Sequence, residues 1–200
     1  MHFLLAIDTA APRLQLALLA ADGHVEQLSE NMATGQAERF FPALAELLAR
    51  AGATYKDLTR IAVTAGPGSF TGLRIGLSAA RGLALALNIP VVGVPSLLAL
   101  SLTATGPMTV LLDARRDEAY VQRFTGPGRR IGEPQLLAME KARAMIAPGD
   151  RLIESPFVDV AALARFARDA DPALYPPEAA YIRDADAKPQ EKFRVAQVPA

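Results

Sequence analysis

Twice along this chain an apolar run closes on an aspartate and an alternating segment follows it. HFLLAID, residues 2 to 8, leads into RLQLALLAADGHVEQLSEN, whose alternation reverses around a turn at Asp22-Gly23. MTVLLDAR, reaching Asp113, leads into EAYVQRF. A short apolar run is the pattern of a buried strand, and alternation that of a half-buried one. Three antiparallel strands therefore open the chain, and the repeat predicts two lobes of related design, residues 1–104 and 105–200. The tail from about residue 184, rich in Asp, Lys and Pro, reads as loosely ordered.

Between the repeats the period changes. Ala37, Phe40, Phe41, Leu44, Leu47 and Leu48 recur at helical spacing from about residue 35 to 51, with Gly52 as the stop. IAVTA (61–65) and VVGV read as buried strands, and a second helix from about 70 to 88 lies between them, closed by Asn88-Ile89-Pro90. PSLLALSL predicts a short helix, and weaker helical patterns fall near 138–147 and 158–170.

Composition narrows the chemistry. Residues are 51% hydrophobic, enough for a core, but the apolar stretches are broken before the ~20 residues of a membrane span. The start, MHFLLAID, lacks the basic region of a signal peptide, so a cytoplasmic protein without membrane contact is expected. There is no cysteine, which excludes disulfides, thiolate nucleophiles and zinc–cysteine sites. His2 and His24 lack metal-ligand spacing, so no metal site is expected. With 21 basic and 21 acidic residues, nothing resembles the basic footprint of a protein that binds nucleic acid by itself.

The stretch GPGSFTGLRIG, residues 66 to 76, invites a phosphate-loop reading. No lysine follows in the Walker frame, and Thr71 stands where the third glycine of a dinucleotide fingerprint belongs. What survives is a helix N-terminus capped by Ser69 or Thr71, where an anion or nucleotide could meet Gly68, Ser69, Thr71 and Arg74, with Asp8 and Thr9 at the neighbouring strand end. The alternative is a tight turn with an ordinary cap.

The helix launched there carries Gly72, Gly76, Ala80 and Ala84 four residues apart, a stripe of nearly bare backbone. Interior helix glycines cost roughly 1 kcal/mol each relative to alanine, which implies close approach of another backbone. Leu73, Leu77, Leu83 and Leu87 fall on other faces, with a narrow polar strip of Arg74, Ser78 and Arg81. Such a helix is buried on more than one side. One side takes the chain's own sheet; the other takes a neighbouring helix, either that at 35–51 or one of a partner, and the pattern leaves both open.

Asp8 and Asp113 both end apolar strands and could hold Mg²⁺ on a nucleotide, but neither is followed by a glycine-rich turn, so a structural aspartate is an equal reading of Asp8. No Ser-His-Asp or Glu/His constellation is present, and no catalytic residue is assigned.

FLLAIDTA, AERFFPALAELLARAG, IAVTAGPGSFTGLRIGLSAARGLALALNIPVVGVPSL, DARRDEAY and AYIRDADAKPQ together closely resemble the TsaB family, bacterial proteins needed to make threonylcarbamoyladenosine in tRNA. The match is weak only over residues 126 to 175. The resemblance implies an α/β, two-lobed fold of the actin, hexokinase and Hsp70 type, built of ribonuclease H-like lobes. It implies a non-catalytic subunit that binds and stabilises TsaD as a heterodimer, works with the ATPase TsaE, and forms a homodimer when alone. Contact with tRNA would fall mainly to the partner, no cofactor is expected in the isolated chain, and ATP or ADP would enter at the level of the complex. The helices at 35–51 and 70–88 would pack against their equivalents, an interface that maps to Phe40, Phe41, Leu44, Gly72, Leu73, Gly76, Leu77 and Ala80. An ATP-binding phosphotransferase or ATPase of the same fold is the alternative, and a glycoprotein endopeptidase is disfavoured for want of a nucleophile and base.

Overall fold

β1 (Phe3–Asp8) is buried along its whole length, with Phe3, Leu5 and Ile7 facing one core and Leu4 and Ala6 facing another. Alternation sends successive side chains to opposite faces, so a strand apolar at every position must be covered on both. The computed structural model of the chain describes residues 2–180. The tail from about 184, and AYIRDADAKPQ apart from Ala180, lie outside the described residues.

β2 (Arg13–Ala20) and β3 (Val25–Asn31) extend β1 as an antiparallel meander, with the predicted turn at Asp22-Gly23. β4 (Leu58–Thr64) and β5 (Val91–Val94) then add in parallel, giving the order β3-β2-β1-β4-β5. α1 (Gln36–Arg50) and α2 (Phe70–Leu87) are the two crossovers and cover one face, while α3 (Ser96–Ser101) joins the opposite core.

The second half repeats this plan in reduced form. β6 (Met108–Arg115), β7 (Glu118–Gly126) and β8 (Arg129–Ala138) form a meander, and the short β9 (Arg151–Ile153) pairs parallel to β6. The order β8-β7-β6-β9 matches β3-β2-β1-β4 strand for strand, with α4 (Met139–Ala144) standing where α1 stands in the first sheet. The result is the two-lobed α/β fold expected from the repeated pattern. α5 (Val160–Asp169) returns to pack on β1 and β2, on the face away from α1 and α2. Arg60 of β4 holds it there, donating to the Ala167 and Ala170 carbonyls at its C-terminal end.

At 18 residues and a mean hydropathy of 1.2, α2 is long and apolar enough by composition to cross a bilayer, contrary to the expectation from the broken apolar runs. Much of that apolarity belongs to the sheet-facing side, since Gly72, Leu73, Gly76, Leu77, Ala80 and Ala84 are buried. The bare stripe is occupied by the end of β1. A Cβ on Gly72 would overlap the Thr9 carbonyl oxygen, and one on Gly76 would lie 2.5 Å from Thr9 Oγ1. Thr9 Oγ1 donates to the Gly72 carbonyl at 2.7 Å, so strand and helix are bonded where they come closest.

Beside this contact Asp8 is fully buried, its carboxylate accepting from Ala10 N, Gln15 Nε2 and Thr64 Oγ1 at 3.1, 3.0 and 2.7 Å. Desolvation pushes its carboxyl above the usual 3.8, against the pull of those three donors.

Two predictions follow from this junction. Gly72→Ala should destabilise the chain by about 1–3 kcal/mol in urea unfolding, whereas Gly82→Ala, with open space around it, should stabilise by up to about 1 kcal/mol. Similar effects of both would show that Thr9 does not set the glycine requirement. For Asp8, between 3.8 and its raised value the native state holds a proton that the unfolded chain has released. Stability therefore falls as pH rises through that window. Asp8→Asn should give a flatter profile of thermal stability than the parent as pH rises above the ordinary carboxyl value of 3.8; an equally steep one would place the dependence elsewhere.

Candidate functional site

Two concavities meet at Phe70, the first residue of α2, which lines both and is half exposed. One is the cleft between the sheets, of about 560 Å³, bordered by Ala10, Gly68, Ser69, Asp113, Arg115 and Tyr120. The other is a groove of about 790 Å³ on the outer face of α1 and α2.

The residues expected to grip an anion are largely spent on packing. Ser69 is the N-cap, its hydroxyl accepting from Gly72 N at 3.3 Å, while its own N–H donates to the Ala10 carbonyl at 2.7 Å. Gly68 is required by that strap, since a Cβ there would come within 2.7 Å of the same carbonyl. Asp8 and Thr9 are buried and bonded as described, so neither reaches the cleft; Asp113 borders it without Asp8, with its carboxylate accepting from Arg115 N at 2.7 Å. Thr71 and Arg74 are exposed but belong to the groove. The six residues thus form three groups: Asp8 and Thr9 in a buried brace, Gly68 and Ser69 exposed at the cleft edge and tied to Ala10, and two groove residues.

Most of the residues expected at the interface are turned inward in the same way. Gly72, Leu73, Gly76, Leu77 and Ala80 face the chain's own sheet because Thr9, Ile7 and Val63 occupy the space that the small residues clear. Leu44 is also fully buried, and Phe40 is 1% exposed at the groove floor. Of the eight, Phe41 alone stands out into solvent, at 51% exposure. Its ring meets that of Phe40 edge-on at 5.1 Å between centroids.

The open face of α2 instead carries Thr71, Ile75, Ala79, Gly82 and Ala86, opposed by Ala37 and Phe41 of α1. These positions are again three or four apart, so the same count that found the inner stripe could have found the outer one. What masked it was size: Ile75 and Ala79 are unremarkable beside glycines. At the groove mouth the Arg74 guanidinium lies 3.8 Å over the Phe70 ring. α1 is fixed to the sheet's outer strand by Arg39, which bonds Glu30 of β3 and Glu46 at 2.6 and 2.7 Å.

Comparison with known proteins places this geometry. Residues 30–170 match the family model described as TsaD, tRNA N6-adenosine threonylcarbamoyltransferase. A Mycobacterium leprae protein of uncharacterised function is 35% identical over 94% of this chain and 57% of its own length. A Mycobacterium tuberculosis relative, also uncharacterised, is 38% identical over 80% of this chain and 74% of its own length. The Escherichia coli tRNA threonylcarbamoyladenosine biosynthesis protein TsaB is 38% identical over 58% of the chain, which spans about half of that relative, 52%. Among solved structures, YeaZ from Pseudomonas aeruginosa superposes with a TM-score of 0.75 at 26% identity, covering 90% of this chain and 100% of that one. With sequence relatives, family model and lobe topology in agreement, the chain belongs to the TsaB family.

Proposed function

We propose that this chain is a docking subunit in the formation of threonylcarbamoyladenosine in tRNA, holding a TsaD-type transferase through the α1–α2 groove. The observation that carries this is the outer face of those helices, where Phe41, Phe70, Ile75, Ala79 and Leu83 line one open groove on a rigid pair. Apolar surface gathered in this way marks an interaction site, because leaving it in water forgoes the gain of burial. A partner is suggested by the chain's own match to the TsaD family model: two proteins on one scaffold can present equivalent helices to each other, in a pseudo-symmetric bundle. The same groove would close on a second copy when the partner is absent.

The reading leaves chemistry to the partner. Asp8 and Thr9, which an ATPase of this fold would need at its phosphates, are buried and bonded within the chain, and Gly68 and Ser69 at the cleft edge are held by Ala10 and Gly72. In this scheme ATP and TsaE act on the assembled pair. With a formal net charge of zero, the chain leaves most of the tRNA contact to the partner as well.

Mixing the chain with purified TsaD from the same source should give a heterodimer by light scattering and raise threonylcarbamoylation above that of TsaD alone. Phe41→Asp should weaken this complex at least ~30-fold while leaving the unfolding midpoint almost unchanged, since the side chain is half exposed. Wild-type affinity in that variant would remove the groove as the docking site.

A further inference from the structure

The polar strip of α2 runs along the flank of the apolar groove, with Arg74 and Ser78 at its edge. Arg74 and Arg81 are its charged members, both exposed, and α2 contains no acidic residue anywhere along FTGLRIGLSAARGLALAL. Seven residues separate them, which is two turns: they share one side of the helix about 10 Å apart along its axis. Neither forms an ion pair with a carboxylate among the described residues. Arg74 is held at the groove mouth by the Phe70 ring beneath it, 3.8 Å from its guanidinium, so that cation is positioned rather than waving in solvent. On α1 the corresponding charge is cancelled locally, because Arg39 is pinned between Glu30 and Glu46. The groove therefore has an apolar floor with Arg74 at its α2 rim, and Arg81 stands two turns on along the same flank of the helix, just outside the lining.

Resting on the docking function proposed above, we infer that Arg74 and Arg81 select the partner: the helix that packs along α2 carries two carboxylates, seven residues apart, that meet these two guanidiniums. Helices crossing at the shallow angle of about 20° found in bundles stay in contact over two turns, so in that packing spacing on one helix is read by spacing on the other. Guanidinium is suited to this because its planar fork binds a carboxylate in a fixed orientation. A second copy packed α2 against α2 would set cation against cation, which costs affinity and favours the acidic partner. The apolar groove supplies the area, and the arginines supply register and the choice among partners.

The test compares TsaD binding by the intact chain, by Arg74→Glu/Arg81→Glu and by Phe41→Asp, each at low and high salt. Both arginines are solvent-exposed, so the double variant should keep the parent's unfolding midpoint. Its association should be slower by about tenfold or more at low salt, and the parent's loss of affinity with rising salt should shrink or reverse. A TsaD variant with the facing carboxylates changed to lysine should restore tight binding to the double variant and lose it with the parent. An unchanged association rate and salt slope in Arg74→Glu/Arg81→Glu, with Phe41→Asp still impaired, would overturn the arginine assignment and leave the docking function standing. Failure of the intact chain to bind TsaD at all would overturn both. A tight homodimer broken by the arginine reversals would overturn the acidic-partner assignment in favour of a second copy.

Discussion

The end of β1 reaches into α2, and the rest of the first lobe is arranged around that contact. Thr9 presents its carbonyl to Gly72 and its hydroxyl to both Gly72 and Gly76, at distances that leave no room for a Cβ on either. One residue further on, the Ala10 carbonyl takes the Ser69 N–H, so the turn before the helix is tied to the same stretch of chain. Helix and strand end are thus locked at two consecutive residues, Thr9 and Ala10, with Asp8 beside them bonded to β2 and β4. Each interior glycine sacrifices roughly 1 kcal/mol of helix propensity. The return is a junction in which a buried carboxylate, a threonine hydroxyl and a capping serine all have partners.

Duplication explains why the first sheet is so thoroughly covered. Each half lays down a meander followed by a parallel strand, yet the second copy has only a six-residue helix and a three-residue strand in its crossover. The second sheet contributes little helical surface of its own and instead lends α5 to the first. α1 and α2 on one side and α3 and α5 on the other enclose β1 and β4, with two separate cores. A sheet filled from both sides has little freedom to adjust when its outer helices meet another surface.

Most of this was legible from periodicity. Both buried strands, both hairpins and the two long helices fall within a few residues of their expected limits, because burial on one or two faces writes a period into the sequence. β8 and β9 did not, for different reasons. RRIGEPQLLA contains Gly132, Pro134 and several charges and is mostly exposed at a sheet edge, so it is held by pairing with β7 rather than by an apolar face. RLI is too short to carry any period. The site was half legible. A small-residue stripe declares that something comes close, but only the tertiary arrangement brings Thr9, more than sixty residues away in sequence, into the gap. The stripe thus marked a close approach within the chain, to the end of β1.

That distinction bears on how such a helix can serve as a docking element. Had the glycines faced outward, a partner would have had to supply the close backbone approach, and α2 alone would have carried two unsupported weak points. With the glycines turned inward, their cost is offset inside the chain, and the outer face is held rigid before any partner arrives. Side chains that are already ordered lose less entropy on association, so a surface of modest residues such as Ala79, Gly82 and Ala86 can still support binding. Orientation must then come from elsewhere on the face, because alanine and glycine carry little directional information. The fixed pair of Arg74 on Phe70, with Arg81 two turns on, are the directional groups that this side of α2 offers.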